Sequence, residues 1–282
     1  MADVEKPTDA AAARRILVEA AREAGRIALA HFTAGERTRA RVGYKHGGSP
    51  VTEADLAVNE FLRAQLRPRF RDAGWLSEET EDDLARLSRE RVVVVDPIDG
   101  TRAFVAGDPR WTVSIALVES GRPIAGVVHA PALDETFAAS RRGGATRNGE
   151  RIKVSARAVL DGARIGGPRA LTATIERAAE ISLSLEPKIP SLAYRIALVA
   201  SGALDVALAA DKAHDWDVAA ADLILSEAGG GLVDADGEAL RYNRPETRRP
   251  ILVAAPRRLL TALVSALQAA KLGPSPTFAL GA

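Results

Sequence analysis

The segment VVVVDPIDGT, residues 92–101, places two aspartates directly after a run of valines. The valines predict a buried strand, so Asp96 and Asp99 stand together where that strand ends. Two carboxylates held within a few ångströms repel each other, and one takes up a proton unless a cation lies between them. Mg²⁺ is a hard cation that favours such oxygen ligands. The pair therefore predicts a magnesium site, with a capped turn and solvated charges as the alternative.

The residues around this pair predict contacts with a phosphate as well as with a metal. Pro97 fixes the backbone and removes an amide donor, and Ile98 offers a backbone carbonyl between the two aspartates. Gly100 allows close approach to the backbone, and the amides that begin a predicted short helix at Thr101 favour an anion. The segment therefore combines groups for a cation with groups for a phosphate.

Further acidic residues come before and after this segment. Glu78 and Glu79 follow a predicted short strand that ends at Leu76, and Asp217 begins a predicted helix after Trp216. Taken alone, the two glutamates are typical of a solvated pair and Asp217 is typical of a helix N-cap. Together with the aspartates of the strand, they become candidate ligands of one site.

The composition restricts the chemistry that the chain can perform. The 282 residues include 38 basic and 37 acidic side chains, so a net charge of +1 gives no general attraction to nucleic acid polymers or membranes. The absence of cysteine excludes disulfides, thiolate metal sites and a cysteine nucleophile. It also fits a reducing compartment, and residues 1–15 lack the apolar core of a signal peptide. We therefore expect a cytoplasmic protein.

The hydrophobic periodicity predicts an α+β protein in which antiparallel strands are bracketed by helices. Helices are predicted at residues 10–32, with Thr8-Asp9 as the candidate N-cap, and at residues 52–66, 171–181, 191–203, 217–228 and 256–271. Strands are predicted at residues 92–95, 111–119, 123–130, 135–140, 163–166 and 204–209, and another follows the glycines at 229–231. The glycine-rich residues 42–51 predict a loop. Because the pattern restarts near residue 158, we predict an N-terminal domain over 1–158 and a C-terminal domain over 159–282.

Four motifs, in a fixed order, resemble those of a known family. They are SPVTEAD at 49–55, SEE at 77–79, DPIDGT at 96–101 and WDVAAADLILSEAGG at 216–230, and they span nearly the whole chain. The set resembles the inositol monophosphatase-like family of Mg²⁺-dependent, lithium-sensitive phosphatases. The resemblance implies a layered αβαβα sandwich of the inositol monophosphatase and fructose-1,6-bisphosphatase type. It also makes a homodimer an expectation, although no sequence pattern identifies an interface.

The resemblance implies two to three bound Mg²⁺ ions and a ligand set drawn from these motifs. Glu78, Asp96 and the Ile98 carbonyl would hold one ion, and a third, looser ion would lean on Glu78 through water. The second ion would be held by three aspartates, Asp96, Asp99 and Asp217.

The same resemblance assigns the catalytic and phosphate-binding groups. Thr101, hydrogen-bonded to Asp55, would orient and deprotonate the attacking water, and Glu78 would act beside them. The backbone amides of Gly100 and Thr101 would bind phosphate oxygens. Two metal ions can clamp the attacking and leaving oxygens and lower the pKa of a bound water. Water would then attack the phosphorus directly, with no covalent enzyme intermediate. The D-x-D-x-T motif of phosphatases that form a phosphoaspartate does not match, because Asp96 and Asp99 are three positions apart.

The substrate is where the sequence departs from the inositol pattern. Inositol monophosphatases carry a sugar-binding glutamate about seven residues before the equivalent of Asp217, where this chain has Ala209 or Ala210, with Lys212 nearby. Lys45, in KHGGSPVTEAD, and Arg195, in SLAYRIALVASG, resemble positions of the 3′(2′),5′-bisphosphate nucleotidases of the CysQ type. We therefore expect Lys45, Arg195 and Lys212 to bind substrate, although ordinary surface charge is an alternative for Arg195 and Lys212.

These features predict hydrolysis of 3′-phosphoadenosine 5′-phosphate to AMP. The alternative substrates are inositol-1-phosphate and histidinol phosphate. The non-enzymatic alternative is a metal-binding scaffold that has kept the fold without turnover. In each enzymatic case the partner is a small phosphorylated molecule rather than a nucleic acid polymer or a membrane.

Overall fold

A computed structural model of the chain describes residues 9–45 and 47–270. The helices are α1 (Ala10–Leu29), α2 (Glu53–Leu66), α3 (Thr101–Ala106), α4 (Arg169–Ala179), α5 (Leu192–Ala200), α6 (Asp215–Glu227) and α7 (Arg257–Ala269). The first strands are β1 (Val42–Tyr44), β2 (Pro50–Thr52), β3 (Gly74–Ser77), β4 (Arg91–Asp99), β5 (Thr112–Glu119), β6 (Arg122–Ala130), β7 (Glu135–Ser140), β8 (Gly144–Arg147) and β9 (Glu150–Arg151). The remaining strands are β10 (Arg164–Gly166), β11 (Ser184–Leu185), β12 (Val206–Ala209), β13 (Gly230–Asp234) and β14 (Leu252–Pro256). Two short 3₁₀ helices cover Ala85–Ser88 and Pro131–Leu133.

The strands form two large sheets and one small hairpin. The larger sheet has seven strands in the order β3-β4-β5-β6-β7-β8-β9, antiparallel except for the parallel pair β3 and β4. The smaller sheet has five strands in the order β11-β10-β12-β14-β13, with β10 parallel to both of its neighbours. Strands β1 and β2 pair only with each other among the described residues. From β5 to β9, each strand pairs with the strand that follows it in the chain, so short local connections join these strands.

The helices separate the sheets into five layers. Helices α1 and α2 cover one face of the seven-stranded sheet, and α6 packs on its other face. Helices α5 and α6 also contact the five-stranded sheet, whose far face is covered by α7 with α4 beside it. Each interface between layers has its own cluster of buried apolar side chains. The predicted αβαβα sandwich of the α+β class is therefore confirmed.

The longest predicted helix, α1, begins where its capping residue predicts. Asp9 adopts an extended backbone, and its side chain accepts a hydrogen bond from the amide of Ala12 at 2.5 Å. This bond satisfies one of the amides that the first turn leaves without a partner. Thr8, which was considered with Asp9 as a cap, lies outside the described residues.

The prediction of a loop over residues 42–51 is wrong, because part of this segment forms the β1–β2 hairpin. Val42 pairs with Thr52 and Tyr44 with Pro50, while Gly47 and Gly48 lie in the turn at positive φ. Glycine reaches such angles without steric strain, so the residues that suggested irregular structure make the turn of a hairpin.

Two strands of the smaller sheet, β11 and β14, were missed from the sequence. The strands of the seven-stranded sheet all precede residue 158 and those of the five-stranded sheet all follow it. The division into two domains nevertheless stays a prediction, because α6 packs against both sheets. Within the described residues, no helix combines the length and the apolar character that crossing a bilayer requires.

Candidate active site

Strand β4 holds two of the site's carboxylates in a fixed place. Its four valines, Val92 to Val95, are at most 2% exposed, so the strand is anchored in the cores on both faces. Side chains three positions apart on a regular strand point to opposite faces. The pairing with β5 is irregular between Asp96 and Asp99, where Pro97 has no amide to donate to the ladder. This irregularity allows both carboxylates to face the same cleft.

Three carboxylates from β4 and α6 converge in this cleft. Asp96, Asp99 and Asp217 each bring one oxygen to within 4.8 Å of the others. Asp217 lies in the first turn of α6, where its side chain accepts a hydrogen bond from the amide of His214 at 2.5 Å. The capping interaction at the start of α6 therefore also sets the direction of the third carboxylate.

Burial and mutual repulsion raise the pKa of all three acids. Desolvation raises the pKa of Asp96 well above its usual value, and Glu78 and Asp99 raise it further. Desolvation also raises the pKa of Asp217, with Asp99 as the next cause. The pKa of Asp99 rises only to about 6, because hydrogen bonds to its charged form partly offset burial. None of the ion pairs among the described residues involves these three acids.

Ser191 and the first turn of α5 support Asp99. One oxygen of Asp99 accepts hydrogen bonds from the Ser191 hydroxyl at 2.5 Å and from the Ala193 amide at 2.7 Å. Ser191 is also the N-cap of α5 and lies 3.1 Å from the hydroxyl of Thr112. The sequence analysis missed Ser191, although a serine directly before an apolar helix is a recognisable cap.

Thr101 and Asp55 form a second part of the site beside the carboxylates. The Thr101 hydroxyl lies 3.1 Å from Asp55 Oδ1 and 3.0 Å from the Ile98 carbonyl, and either oxygen can accept its proton. The other oxygen of Asp55 accepts from the amide and the hydroxyl of Thr52, which caps α2. The hydrogen bond expected between Thr101 and Asp55 is therefore present, and burial raises the pKa of Asp55.

Helix α3, which begins at Thr101, is held by aromatic packing. Phe104 is fully buried and meets Trp111 edge to face, with ring centroids 5.0 Å apart. Such a pair contributes roughly 0.5–1.5 kcal/mol beyond the area that it buries. The packing fixes a helix of only six residues, and with it the Thr101 hydroxyl.

Glu78 lies at the edge of the carboxylate group and is paired with a lysine. Lys45 Nζ contacts Glu78 Oε1 at 2.8 Å and Glu79 Oε1 at 2.5 Å. Burial raises the pKa of Glu79 to about 7 even though Lys45 opposes the shift. Glu78 lines the cleft but is not among the three acids whose oxygens meet within 4.8 Å.

The cleft has a volume of about 200 Å³ and is lined by residues from both halves of the chain. Its walls are Ser49, Pro50, Glu78, Asp96, Ile98, Asp99, Gly100, Thr101, Arg102, Lys188, Pro190 and Asp217. Larger cavities of about 370, 470 and 590 Å³ lie elsewhere, but their linings do not contain this group of aspartates. We therefore take the smaller cleft as the functional one, since its chemistry rather than its size is distinctive.

The residues predicted to select the substrate do not line this cleft. Arg195 is largely buried, and its guanidinium donates to the Leu208 carbonyl at 2.7 Å. Lys212 is exposed on the turn after β12, and Lys45 is engaged by Glu78 and Glu79. The cleft instead contains two cations that the sequence analysis missed, Arg102 and Lys188. Arg102 directly follows the DPIDGT motif and Lys188 belongs to none of the four motifs, and no spacing in the sequence marked either as a cleft residue.

Comparisons with known proteins agree with this fold and with the order of the motifs. The model of the inositol monophosphatase family matches residues 9–272. An inositol-1-monophosphatase of Mesorhizobium japonicum is 34% identical over 234 residues, covering 79% of this chain and 85% of the relative. A 3′(2′),5′-bisphosphate nucleotidase CysQ of Aggregatibacter actinomycetemcomitans is 31% identical over 243 residues, covering 82% and 87%.

Among solved structures, the extragenic suppressor protein suhB of Bartonella henselae superposes with a TM-score of 0.78. The two are 30% identical, and the match covers 93% of this chain and 99% of that one. The chain therefore belongs to the inositol monophosphatase family, and with it to a superfamily of phosphatases.

Proposed function

We propose that this member of the inositol monophosphatase family is a Mg²⁺-dependent phosphomonoesterase whose preferred substrate carries a second phosphate. The favoured substrate is 3′-phosphoadenosine 5′-phosphate, which would yield AMP and phosphate. The observation that carries the proposal is the meeting of Asp96, Asp99 and Asp217 within 4.8 Å in an open cleft. Two or three bound ions, inhibition by lithium and assembly as a homodimer belong to the same proposal.

The donor set fits Mg²⁺. It consists of carboxylate oxygens, and burial together with their repulsion already raises the pKa of Asp96 and Asp217, so a divalent cation would relieve an existing electrostatic conflict. The residues that would hold the ions are Glu78, Asp96, Asp99, Asp217 and the carbonyl of Ile98. When bound, Mg²⁺ supplies positive charge that offsets the phosphate oxygens and lowers the pKa of water.

Thr101 and Asp55 would orient the attacking water and take its proton. The Thr101 hydroxyl can accept the proton of a water while its own proton passes to Asp55 Oδ1, 3.1 Å away. Burial raises the pKa of Asp55, which favours its acceptance of that proton. The water oxygen then forms the bond to phosphorus while the P–O bond to the alcohol breaks on the opposite side, and the departing alkoxide takes a proton from solvent.

Gly100 and Thr101 would present their backbone amides to the phosphate. Gly100 has φ of +93°, and a Cβ at this position would lie 3.3 Å from the amide nitrogen of Ser191. Glycine therefore allows the backbone to turn here while α5 packs against it. Fixed donors of this kind stabilise charge without reorganising during the reaction.

The preference for a second phosphate is supported by what the site lacks and by what it contains. Ala209 is buried at the end of β12 and Ala210 is exposed, and neither lines the cleft. The glutamate that grips sugar hydroxyls in inositol monophosphatases thus has no counterpart at these positions. The cleft contains the cations Arg102 and Lys188. Inositol-1-phosphate remains the second candidate, because a relative named for it is 34% identical.

A phosphate-release panel with Mg²⁺ tests the proposal. It compares 3′-phosphoadenosine 5′-phosphate, inositol-1-phosphate, histidinol phosphate and fructose-1,6-bisphosphate by kcat/KM. We expect the adenosine bisphosphate to be the best substrate, by about tenfold or more over inositol-1-phosphate. The reverse order would overturn the proposed substrate. Trapping of a phosphoenzyme would overturn direct attack by water. If no compound releases phosphate, the result favours a metal-binding scaffold without turnover.

A further inference from the structure

Two cationic side chains from different parts of the chain line the cleft. Arg102 follows Thr101 in the first turn of α3, and Lys188 lies in the segment between β11 and α5. Both residues are exposed, whereas Asp96 and Asp99 are 1% and 6% exposed. The carboxylates therefore form the floor of the cleft and the two cations stand at its mouth.

Neither cation has a partner among the described residues. No hydrogen bond or ion pair between described residues involves the side chain of Arg102 or of Lys188. The other cations near the site are less accessible: Lys45 pairs with two glutamates, and Arg195 is largely buried and donates to the carbonyl of Leu208. A second anionic group of a ligand in the cleft would thus meet positive charge at the mouth that is exposed and, among the described residues, unpaired.

We propose that Arg102 and Lys188 bind the second phosphate of the substrate and set the preference for bisphosphates over monophosphates. This inference rests on the proposed function, since it requires that the cleft hydrolyse a phosphomonoester. The reacting phosphate lies on the floor, beside Asp96, Asp99 and the Gly100 amide, so a second phosphate on the same molecule extends toward the mouth. There it contacts the two cations.

The two side chains suit different parts of this task. The guanidinium of Arg102 presents paired donors that match two phosphate oxygens at once. The ammonium of Lys188 is a compact charge on a flexible stem, so it adapts to ligands of different length. Because both groups are exposed, each contributes less than a buried pair would, and we expect about a tenfold effect from the two together.

The experiment compares substrates that differ only in the second phosphate. The pairs are adenosine 3′,5′-bisphosphate with adenosine 3′-phosphate, and fructose-1,6-bisphosphate with fructose-1-phosphate. The measured quantity is the ratio of kcat/KM within each pair. We expect the wild type to favour the adenosine bisphosphate by about tenfold or more, and Arg102→Ala/Lys188→Ala to lower that ratio by about tenfold, mainly through KM.

A matched control is available on the surface. Arg63→Ala/Lys153→Ala removes one arginine and one lysine that are exposed and do not line the cleft, and it should keep the wild-type ratio. Arg102→Lys keeps the charge but loses the paired donors, so its ratio should lie between those of the wild type and Arg102→Ala. This ordering separates binding of the second phosphate from a loss of folding. A loss of folding would lower kcat/KM equally for both substrates of a pair.

Two results would overturn the inference: a wild-type ratio near one, and a ratio unchanged in the double variant, whether neither member of a pair falls or both fall equally. An equal fall would assign the two cations to the reacting phosphate or to the fold. Failure of the proposed phosphatase activity looks different, because the wild type would then release no phosphate from any compound. In that case, calorimetry measures the Kd of adenosine 3′,5′-bisphosphate and of adenosine 3′-phosphate in the presence of Mg²⁺. The ratio of these two Kd values then tests the inference.

Discussion

Helix α6 carries three aspartates in two different settings. Asp215 is fully buried, and its Oδ1 accepts from Arg249 Nε at 2.6 Å. Asp222, in the second half of the helix, accepts from the Tyr242 hydroxyl at 2.8 Å. Asp217 lies between them in sequence and faces Asp96 and Asp99. One helix therefore contributes acids both to the protein interior and to the cleft.

Burial alone does not distinguish these two regions. Desolvation raises the pKa of Asp215 and of Asp222 to about 6, and it raises that of Asp217 well above the usual value. The difference lies in the neighbours: Arg249 and Tyr242 lower the pKa of their partners, whereas Asp99 raises that of Asp217. An acid that pairs with a cation or a hydroxyl of the protein, as Asp215 and Asp222 do, has a structural role. An acid that faces further acids, as Asp217 does, requires a cation from solution.

The largest expected effect is loss of turnover when a carboxylate of the cleft becomes neutral. Asp217→Asn keeps an oxygen that can accept from the His214 amide, so the start of α6 should remain folded. We expect phosphate release to fall about a thousandfold, because the charge that binds the cation is lost. Asp222→Asn, on the same helix but outside the cleft, is the control. Comparable losses in the two variants would remove the distinction between the regions.

The second effect concerns the partnered acid Asp215. Arg249→Met leaves a buried carboxylate without its cation, and we expect the free energy of unfolding to fall by about 3–5 kcal/mol in urea titrations. Asp215→Asn/Arg249→Met removes both charges and should recover part of this loss. If the double variant is less stable than Arg249→Met, the pair does not behave as a compensated buried charge.

The third effect is a pH dependence at Asp222. Its pKa is about 6 when folded and near 3.8 without burial, so the folded state binds its proton more tightly. This contribution to stability is complete below about pH 4 and is lost as the pH rises through 6. The loss amounts to roughly 3 kcal/mol at most. Asp222→Asn should therefore gain stability relative to the wild type between pH 4 and 7, as chemical unfolding at each pH would show. A constant difference would contradict the assignment.

The smallest expected effect concerns the support of Asp99. Ser191→Ala removes one of the hydrogen bonds to its charged form, which weakens the orientation of a proposed metal ligand. Changes of this kind typically weaken metal binding by about 10–100-fold. The half-saturating Mg²⁺ concentration for phosphate release should rise accordingly, and Ser191→Thr should restore it. An unchanged Mg²⁺ dependence would show that the Ala193 amide is sufficient.

The sequence predicted best what depends on local patterns. Helices α1 and α2 and strands β4 to β7 have long periodic stretches and clear turns, and they form where predicted. Strand β14 was missed because no short turn connects it to β12 or β13, the strands with which it pairs. Leu56 lies at one of the apolar positions whose helical spacing predicts α2, but it is 52% exposed, since periodicity does not reveal which neighbours are present.

The candidate site likewise has a part that the sequence predicted and a part that it did not. The carboxylates stand in ordered motifs, and the structure brings Asp96, Asp99 and Asp217 together. The proposed substrate-selecting residues are single positions on separate helices and loops from different halves of the chain. Arg195 and Lys212 were chosen by resemblance, whereas Arg102 and Lys188 line the cleft. Which isolated cation faces a cleft depends on tertiary packing, and no spacing in the sequence encodes it.

The most direct test of the central claim is thermal unfolding of the wild type, Asp217→Asn and Asp222→Asn in EDTA and across a Mg²⁺ titration. A ligand that binds only the folded state stabilises it by about 2.7 kcal/mol at a concentration 100 times its Kd. We predict that Mg²⁺ raises the melting temperature of the wild type and of Asp222→Asn but not of Asp217→Asn. In EDTA, Asp217→Asn should melt above the wild type, because a repelling charge has been removed. An equal Mg²⁺ shift in all three proteins, or a lower melting temperature of Asp217→Asn in EDTA, would contradict the account.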